Sequence, residues 1–420
     1  MKVLWITNTI FPELAEHMGI ATPVVGGWMY GLSCAISSIP DVELRVATTS
    51  PKYEDIHWNG EQMTYHLLKS QKTPTQEDKS LYPKWKALVA EFKPDIVHIH
   101  GTEYAHGLSL KNACPQLNYV VSIQGLMGVY SGYYYAGLSR RTIWRNLTLR
   151  DFWRKDSIFH EKREFARRDR QVEKHYLKEV KHIIGRTDWD KAHTFRYNPN
   201  RTYHFNNESL RDAFYSAEKW NAEHCIPRRI FISQASRPLK GFHLLLDALA
   251  QIKEQFPDLS IVVAGSDKTR NTKWVDKIKL KGYGKILRAK LKRYGLENSV
   301  EFAGLLNESQ MIENYQKCQV FICPSSIENS PNSVGEAQLL GVPVIASDVG
   351  GIINMVEHKK TGLLYRFEET ALLASYIAEV FTNPKTQSTL SEKGIEAASK
   401  RHDRMANKDA LYQIYNNIIG

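Results

Sequence analysis

A repeated alternation of short apolar runs with amphipathic stretches is the feature that most constrains the fold of this chain. The runs are rich in β-branched residues and apolar on both faces, as expected of parallel strands covered by helices. Between them lie helical candidates such as Leu244–Gln255 and Met311–Lys317. The alternation predicts a doubly wound α/β fold, formed twice. The predicted strands are Val3–Thr7, Leu44–Thr48, Ile96–His100, Tyr119–Ile123 and Ile183–Arg186, then Ile230–Ser233, Ser260–Ala264, Val300–Phe302, Val320–Cys323 and Val344–Ala346.

The length of the chain indicates two domains. Its 420 residues are too many for one ordinary hydrophobic core, so two domains of roughly 200 residues are expected. Pro and Asn cluster over residues 196–208 and predict the boundary there. We therefore predict a Rossmann-like domain over residues 1–205, a second over 206–403, and a C-terminal helix over 404–420.

Composition excludes several classes of protein. Apolar residues make up 42% and charged residues 24% of the chain, which is ordinary for a folded protein and argues against global disorder. The five cysteines form no CxxC pair, which indicates a reducing compartment without structural zinc. The N-terminus lacks the features of a signal peptide, and no apolar run approaches the roughly 20 residues of a membrane helix. We expect a cytoplasmic protein, soluble or peripheral at the inner face of the membrane.

A formal net charge of +11 suggests an anionic partner. Much of the excess lies in residues 138–181, where fourteen Lys or Arg stand against seven Asp or Glu, with aromatic residues interleaved. Two interpretations stay open: a solvated helical hairpin, or an interfacial surface for anionic lipid or a pyrophosphate-linked acceptor. A nucleic-acid-binding protein is a remote alternative that only the charge supports, because no helix-turn-helix, RRM or zinc pattern occurs.

The strongest chemical motif runs from Glu328 to Glu336, as E-N-S-P-N-S-V-G-E, and is followed by the G-V-P-V-I run from Gly341. Ser330 is predicted to be the N-cap of a helix and Pro331 its first residue. Unpaired N–H groups would then face outward from the carboxyl edge of the sheet and form an anion site. These are the N–H groups of Asn332, Ser333 and Val334.

The two glutamates of this motif suit a ligand rich in hydroxyl groups. Glu328 precedes the predicted helix and Glu336 lies more than one turn inside it. Each carboxylate oxygen can accept a short, charge-assisted hydrogen bond from a hydroxyl. One glutamate can therefore bind a sugar ring and the other a ribose. The alternative is that both are surface glutamates favoured near a helix start by the helix dipole.

A lysine lies where a helix dipole alone would disfavour it. Lys240, in the turn Ser236–Phe242, directly precedes a predicted helix N-terminus, which already carries partial positive charge. The conflict disappears if an anion lies between them. Arg237, in the same turn, is a second candidate cation. A solvated loop is the alternative for both.

The pattern E-x7-E, followed by the Gly-x-Pro-Val strand, resembles the retaining glycosyltransferases of family 4, also called glycosyl transferases group 1. The resemblance covers both halves of the chain and implies the GT-B fold, with two Rossmann-like domains facing across a cleft and a C-terminal helix that crosses back to the first domain. It also implies that Lys240 and an arginine hold the donor diphosphate. The family's arginine falls at Ala235, so Arg237 is expected to act from a shifted position.

Two features of the first half fit the same resemblance. Gly26 and Gly27 follow the first strand, as the family's glycine-rich loop does, and would approach the diphosphate through the backbone. His100 ends a strand at the carboxyl edge, where ligands bind, and is expected to contact the acceptor or the sugar, with simple packing as the alternative. His98 on the same face is expected to be packed. Where many members carry a His-Gly pair that contacts the sugar, this chain has Gln124 and Gly125. An amide cannot carry charge, so altered sugar recognition is expected.

The resemblance implies a complete activity. We expect transfer of a hexose-type sugar from a nucleoside diphosphate, with UDP as the first choice, to a hydroxyl of a glycan or lipid-linked acceptor in surface polysaccharide biosynthesis. Catalysis is expected from Lys240, Arg237 and Glu328, with neither a metal nor another cofactor. A GT-B nucleotide-sugar epimerase is the alternative within enzymes. The absence of a G-x-G-x-x-G or Walker sequence counts against a dinucleotide enzyme or a P-loop ATPase.

Overall fold

The computed structural model of the chain describes residues 1–22, 26–269 and 280–420. These residues form two compact units. The first unit contains Met1–Gly128, Ala166–Asp212 and Arg401–Gly420, and the second contains Val129–Phe165 and Ala213–Lys400.

The first unit contains an eight-stranded sheet in the order β3-β4-β2-β1-β5-β6-β7-β8. All neighbouring strands are parallel except β3 and β4. The strands are β1 Lys2–Thr7, β2 Glu43–Ser50, β3 Ile56–Asn59, β4 Thr64–Lys69, β5 Ile96–His100, β6 Tyr119–Ser122, β7 His182–Gly185 and β8 Thr202–Phe205.

The second unit contains a six-stranded parallel sheet in the order β11-β10-β9-β12-β13-β14. Its centre is formed by β9 and β12, whose carboxyl ends carry the two chemical motifs of this half of the chain. The strands are β9 Arg229–Ile232, β10 Ser260–Ala264, β11 Val300–Gly304, β12 Val320–Cys323, β13 Val344–Ser347 and β14 Leu363–Tyr365.

Helices alternate with the strands in both units. In chain order they are α1 Pro12–His17, α2 Gly27–Ser37, α3 Tyr82–Phe92, α4 Leu108–Ala113, α5 Met127–Tyr133, α6 Arg140–Arg145, α7 Leu149–Trp153, α8 Ile158–Arg168, α9 Lys174–Glu179, α10 Asp188–Tyr197, α11 Ala213–Ser216, α12 Phe242–Ile252, α13 Gly282–Tyr294, α14 Glu308–Lys317, α15 Asn332–Leu340, α16 Thr370–Thr382, α17 Pro384–Arg401 and α18 Arg404–Ile419. Short 3₁₀ turns occur at Lys79–Leu81, Pro238–Lys240, Glu297–Ser299 and Ile352–Asn354, and a π-helical turn at Asp169–Glu173.

Burial on both faces of the strands explains their unbroken apolar sequences. Val3 and Trp5 of β1 belong to one core cluster, whereas Leu4 and Ile6 belong to another. Successive side chains of a strand point to opposite faces, so the two clusters lie on the two sides of the sheet. The predicted doubly wound α/β class is confirmed, and each of the ten predicted strands is present with bounds shifted by at most a few residues.

Within the described ranges, four strands were missed, and they lie toward the sheet edges. β3, β4 and β14 are short or partly polar, and β8 lies within the segment 196–208 that was interpreted as a boundary. Along β8 every residue is exposed or half-buried. Its sequence Thr202–Phe205 therefore carries no apolar run from which a buried strand could be predicted.

The division into units differs from the predicted domains in three places. The first unit extends to Asp212, beyond the predicted boundary at 205, it includes residues 401–403, and it lacks residues 129–165, so that the basic segment 138–181 is divided. Residues 129–165 group with the second unit because buried contacts hold them there. His243 Nε2 is hydrogen-bonded to the carbonyl of Ala136 at 2.8 Å, and the side chain of Ile143 is buried.

The C-terminal helix α18 belongs to the first unit. The hydroxyl of Tyr415 accepts a hydrogen bond from Trp5 Nε1 at 2.9 Å and lies 2.6 Å from Nδ1 of His98. All three side chains are buried. This network ties the last helix to strands β1 and β5, and it accounts for His98 as a packed, hydrogen-bonded residue.

Candidate active site

Two loops at the carboxyl edge of the second sheet bring Lys240 and Glu328 together. Lys240 ends the 3₁₀ turn that follows β9, and Glu328 lies in the loop that follows β12. Lys240 Nζ donates to Glu328 Oε1 at 2.5 Å, and the hydroxyl of Ser325 donates to the same oxygen at 2.7 Å. Glu328 is largely buried, so the carboxylate is fixed by two charge-assisted contacts instead of by water.

The backbone holds the two loops against each other. The N–H of Ser326 donates to the carbonyl of Leu239 at 2.8 Å. Gly241 has φ +71°, and a Cβ added there would lie 1.6 Å from the carbonyl oxygen of Pro324. Only glycine tolerates both the left-handed backbone and so close an approach. The position of Lys240 beside Glu328 therefore depends on the glycine that follows the lysine.

A second glycine closes the other side of the Glu328 loop. A Cβ at Gly350, where φ is +55°, would lie 1.9 Å from the carbonyl oxygen of Glu328. The same carbonyl accepts the N–H of Gly351 at 3.0 Å. Sequence analysis missed both residues, although a Gly-Gly pair shortly after β13 is a signal that could have indicated them.

The thiol nearest this pair is not a nucleophile. Burial, together with the charge of Glu328, raises the pKa of Cys323 to about 12. A thiol with this pKa stays protonated near neutral pH, and only the thiolate reacts as a nucleophile. Cys323 at the end of β12 therefore packs beside Ser325 as a neutral side chain.

The helix of the E-x7-E motif begins one residue later than predicted. Pro331 is the N-cap, with extended backbone angles, and α15 begins at Asn332, so Ser330 is not the cap. The N–H of Val334 donates to the carbonyl of Pro331 at 3.0 Å. The prediction that this N–H is unpaired was wrong. The N–H groups of Asn332 and Ser333 precede the first intrahelical donors and remain the candidate anion ligands.

Glu336 lies inside α15, in a buried position. Its Oε2 is 3.3 Å from the hydroxyl of Tyr315, and that hydroxyl also contacts the carbonyl of Ser333 at 3.0 Å. Tyr315 projects from α14 and links Glu336 to the first turn of its own helix. The structure thus gives this carboxylate a fixed orientation, unlike that of a solvated surface glutamate.

Arg237 has a different environment from Lys240. Its side chain is exposed, and its guanidinium lies 5.6 Å from the centroid of the Phe165 ring. Lys268 lies in the loop after β10. Burial lowers the pKa of Lys268, and the positive charges of Lys281 and Arg150, and to a smaller extent that of Arg237, lower it further. Sequence analysis missed Lys268, which lies at the same carboxyl edge of the sheet.

In the first unit, Gly26 and Gly27 begin helix α2. Gly26 is the N-cap with φ +91°, and a Cβ there would lie 2.7 Å from a side-chain methyl carbon of Thr9. Gly27 is the first helical residue, with the Arg211 side chain packed beside its Cα. Of the two, Gly26 is the position that requires glycine, because both its dihedral angle and its packing exclude a side chain.

His100 is buried at the carboxyl end of β5. Its ring stacks on His98 with centroids 3.8 Å apart and lies 4.2 Å from the ring of Trp5. Both ring nitrogens are buried without a hydrogen-bond partner among the described residues. Burial lowers the pKa of His100 well below that of an exposed histidine, so the ring is neutral and can offer one donor and one acceptor.

A pocket of about 490 Å³ opens at the carboxyl edge of the first sheet. It is lined by His100 and Gln124, by Glu103 and Tyr104 after β5, and by loop residues that include Gly26. Oε2 of Glu103 is buried without a hydrogen-bond partner among the described residues, and burial raises the pKa of this carboxyl group. Sequence analysis missed Glu103, although it lies three residues after His100.

Gln124 is oriented by a buried ion pair behind it. Its Nε2 donates to Oε1 of Glu208 at 2.6 Å, and Glu208 pairs with the guanidinium of Arg186. Arg186 also donates to the carbonyl of Ile123 at 3.0 Å. The Gln124 amide is therefore held in place at the pocket wall by Glu208 and Arg186. Both residues are distant from Gln124 in the sequence, so the residues around Gln124 did not indicate this arrangement.

Among the described helices, none combines the length and the apolar composition needed to cross a bilayer.

Comparison with known proteins gives a consistent result. Residues 219–397 match the family model described as glycosyl transferases group 1. The chain is 33% identical over 131 residues to a D-inositol 3-phosphate glycosyltransferase of Jonesia denitrificans, covering 30% of this chain and 28% of the relative. It is 24% identical over 217 residues to a phosphatidyl-myo-inositol mannosyltransferase of Mycobacterium tuberculosis, covering 50% and 52%. The chain thus spans between about a quarter and half of the length of these curated relatives.

Solved structures agree on the fold. Sucrose-phosphate synthase from Thermosynechococcus elongatus has a TM-score of 0.70 at 18% identity, covering 100% of this chain and 99% of that one. Anabaena HepE in complex with UDP and glucose has a TM-score of 0.65 at 16% identity, covering 99% and 100%. Residues 219–397 are thus similar to the glycosyl transferases of group 1, and the chain has the GT-B fold.

Proposed function

We propose that this chain is a retaining glycosyltransferase that moves a hexose-type sugar from a UDP-sugar to a hydroxyl of a glycan or lipid-linked acceptor. The observation that carries the proposal is the ion pair of Lys240 and Glu328 at the carboxyl edge of the second sheet, the edge at which open α/β sheets bind ligands. The similarity to Anabaena HepE, solved with UDP and glucose, supports the choice of UDP.

The second unit would bind the donor. As the glycosidic bond breaks, the electron pair leaves with the diphosphate, and negative charge grows there. The ammonium of Lys240, the guanidinium of Arg237 and the N–H groups of Asn332 and Ser333 are the groups that would stabilise this charge. Positioned donors of this kind usually supply the largest part of catalysis. Val334 would contribute through packing, since its N–H is already bonded.

Glu328 and Glu336 would bind different parts of the donor. Glu328, held by Lys240 and Ser325, would accept hydrogen bonds from sugar hydroxyls, and Glu336 would bind the ribose. The acceptor oxygen would then attack the anomeric carbon on the face that the diphosphate leaves, and the acceptor proton would pass to the departing phosphate. Retention of configuration follows without a covalent intermediate on the protein.

The first unit would bind the acceptor. Its pocket offers the neutral ring nitrogens of His100, the Gln124 amide and the carboxyl group of Glu103. These groups pair well with hydroxyls. The described lining contains no Lys or Arg, so the pocket favours an uncharged portion of the acceptor over a phosphate.

The setting of the reaction is part of the proposal. We infer that the enzyme works in the cytoplasm on surface polysaccharide precursors, at the inner face of a membrane. We also infer that cationic side chains neutralise the diphosphate without a metal ion. Equal activity in EDTA and in Mg²⁺ would support the second inference, and dependence on Mg²⁺ would contradict it.

A transfer assay tests the function. The chain is incubated with UDP-glucose, UDP-galactose or UDP-N-acetylglucosamine, with and without a mixture of lipid-linked and free glycans. We expect release of UDP that depends on both partners, and an α-linked product detected by NMR. An epimerase would convert the donor sugar with no acceptor present, and a β-linked product would contradict retention.

A further inference from the structure

Four large apolar side chains within ten residues of the second unit face solvent. The exposed fractions are 65% for Trp144, 90% for Leu149, 59% for Phe152 and 79% for Trp153. Among the described residues, Trp144 and Trp153 are the exposed tryptophans. Scattered single apolar residues on a surface are ordinary, whereas a contiguous group marks an interaction site.

Cations are interleaved with these apolar residues along the sequence. Residues 139–155 contain six Arg or Lys and one acidic residue, Asp151. Asp151 is buried, and its Oδ2 accepts the N–H of Thr148 at 2.9 Å, so it contributes little negative charge to the surface. Five of the cations are exposed, and the guanidinium of Arg154 lies 5.1 Å from the Trp153 ring centroid. We call residues 140–155 the basic aromatic surface.

Hydrogen bonds anchor helix α7 of the basic aromatic surface to the rest of the second unit. Thr148 and Asp151 form a capping box at the start of α7. Asp151 also accepts the N–H of Gly282 at 3.0 Å, and Thr148 donates to the carbonyl of Leu280 at 3.0 Å. Ile143 packs inward from α6. The exposed aromatic side chains are therefore presented by anchored helices.

The rest of the basic segment does not share this character. Beyond residue 157 its apolar side chains turn inward: Ile158, Phe165, Tyr176 and Leu177 are all buried. Asp156 and Glu161 both pair with Lys281, at 3.0 and 3.1 Å. Charge and exposed apolar area thus concentrate in the part of the segment before residue 156.

We propose that the basic aromatic surface docks the enzyme on an anionic lipid bilayer. Tryptophan prefers the boundary between headgroups and acyl chains, and arginine pairs with lipid phosphates. The helices α6 and α7 are too short to span a membrane, and they suit insertion into this boundary layer. The inference deepens the proposed function by naming the surface that binds the membrane and the charge of the lipid. It rests on the proposed function only in that a lipid-linked acceptor would give the enzyme a reason to bind a membrane.

Vesicle co-sedimentation of the full chain tests the proposal. We expect the wild type to bind vesicles of phosphatidylcholine mixed with phosphatidylglycerol, and to bind pure phosphatidylcholine much more weakly. Trp144→Ala with Trp153→Ala should weaken binding more than roughly tenfold by loss of apolar burial. Arg140→Gln with Arg141→Gln should weaken it roughly fivefold per charge and reduce its dependence on salt.

A matched control variant is Phe195→Ala with Phe205→Ala, which removes two exposed aromatic side chains of the first unit and should bind vesicles as the wild type does. Donor binding, followed by the UDP-induced melting shift, should be unchanged in every variant, which separates this test from that of the proposed function. Equal vesicle binding by the tryptophan variant would overturn the proposal. So would self-association through Trp144 and Trp153 without any vesicle binding.

Discussion

The ammonium of Lys240 lies 2.5 Å from Oε1 of Glu328, although 88 residues separate the two along the chain. Each side chain comes from a loop after a central strand, β9 or β12, and the hydroxyl of Ser325 shares the same carboxylate oxygen. The pair therefore fixes a cation and an anion side by side at one edge of the sheet. A ligand that carries both phosphate and hydroxyl groups matches this arrangement.

Lys240→Ala should lower turnover about 10²–10³-fold, because it removes a charge aimed at the leaving diphosphate. The melting temperature should stay close to that of the wild type, which a thermal melt checks. Lys393→Ala, which breaks an exposed pair with Glu396, is the matched control and should leave turnover unchanged. Near-normal turnover in Lys240→Ala would remove the lysine from the mechanism.

Gly241→Ala should destabilise the second unit by about 3 kcal/mol or more, because its Cβ would overlap the Pro324 carbonyl and its φ is positive. Gly304→Ala is the control. Its φ is +75°, and a Cβ there meets no described atom within 4 Å, so only the backbone term of about 1 kcal/mol remains. Urea denaturation of both variants measures the difference. Equal losses would show that the close approach is not what requires glycine.

Acid should destabilise the chain through its buried histidines. Burial lowers the pKa of His98 to about 3, and of His106, His243 and His402 to about 4. Below the ordinary value of about 6.5 the unfolded chain binds protons that the folded chain does not. The stabilisation is thus complete above pH 6.5 and is lost as the pH falls toward 4.

Between pH 7 and pH 5.5 each of these histidines should lower the free energy of unfolding by about 1 kcal/mol. Melting curves recorded across this range measure the slope. His243→Gln, which keeps one polar contact toward the Ala136 carbonyl, should have a smaller slope than the wild type. A melting temperature that does not change over this range would contradict the neutral state assigned to these rings.

Tyr415→Phe should destabilise the first unit by about 1–3 kcal/mol, since it leaves Trp5 Nε1 and one nitrogen of His98 buried without their partner. Tyr412→Phe in the same helix is the control, because Tyr412 is only partly buried, and it should cost less than about 0.5 kcal/mol. Chemical denaturation compares the two. A harmless Tyr415→Phe would mean that water or another group replaces the hydroxyl.

Glu103→Gln should raise the KM for the acceptor roughly tenfold, because the amide replaces one carboxyl oxygen, which can accept a hydrogen bond from a hydroxyl, by a nitrogen that cannot. The UDP-induced melting shift should not change, since Glu103 lies in the first unit. Initial-rate kinetics with varied acceptor and saturating donor provide the measurement. A change confined to the donor KM would place Glu103 in a different role.

Much of the architecture could be predicted from local sequence. Strands buried on both faces, such as Ile96–His100, could be predicted from their runs of largely apolar residues. The turn before Phe242 could be predicted from Lys240 and Gly241, which are adjacent in the sequence. The positions of Lys240 and Glu328 at a sheet edge follow from strand ends. Their mutual contact does not, because it depends on the order of β9 and β12 in the sheet.

What could not be predicted depends on contacts between distant segments. Residues 129–165 join the second unit through pairs such as Ala136 with His243, which are 107 residues apart and leave no local pattern. The exposed strand β8 lacks an apolar run. The N-cap of α15 is Pro331 and not Ser330, whose hydroxyl contacts the sulfur of Met355.

The most direct test of the central claim is thermal stabilisation of the purified chain by UDP, GDP, ADP and CMP, each with and without Mg²⁺. A ligand that binds only the folded state must raise the melting temperature. We predict a shift that is selective for UDP, indifferent to Mg²⁺ and lost in Glu336→Ala. No shift with any nucleotide, or an equal shift in Glu336→Ala, would contradict a donor site built on this edge of the second sheet.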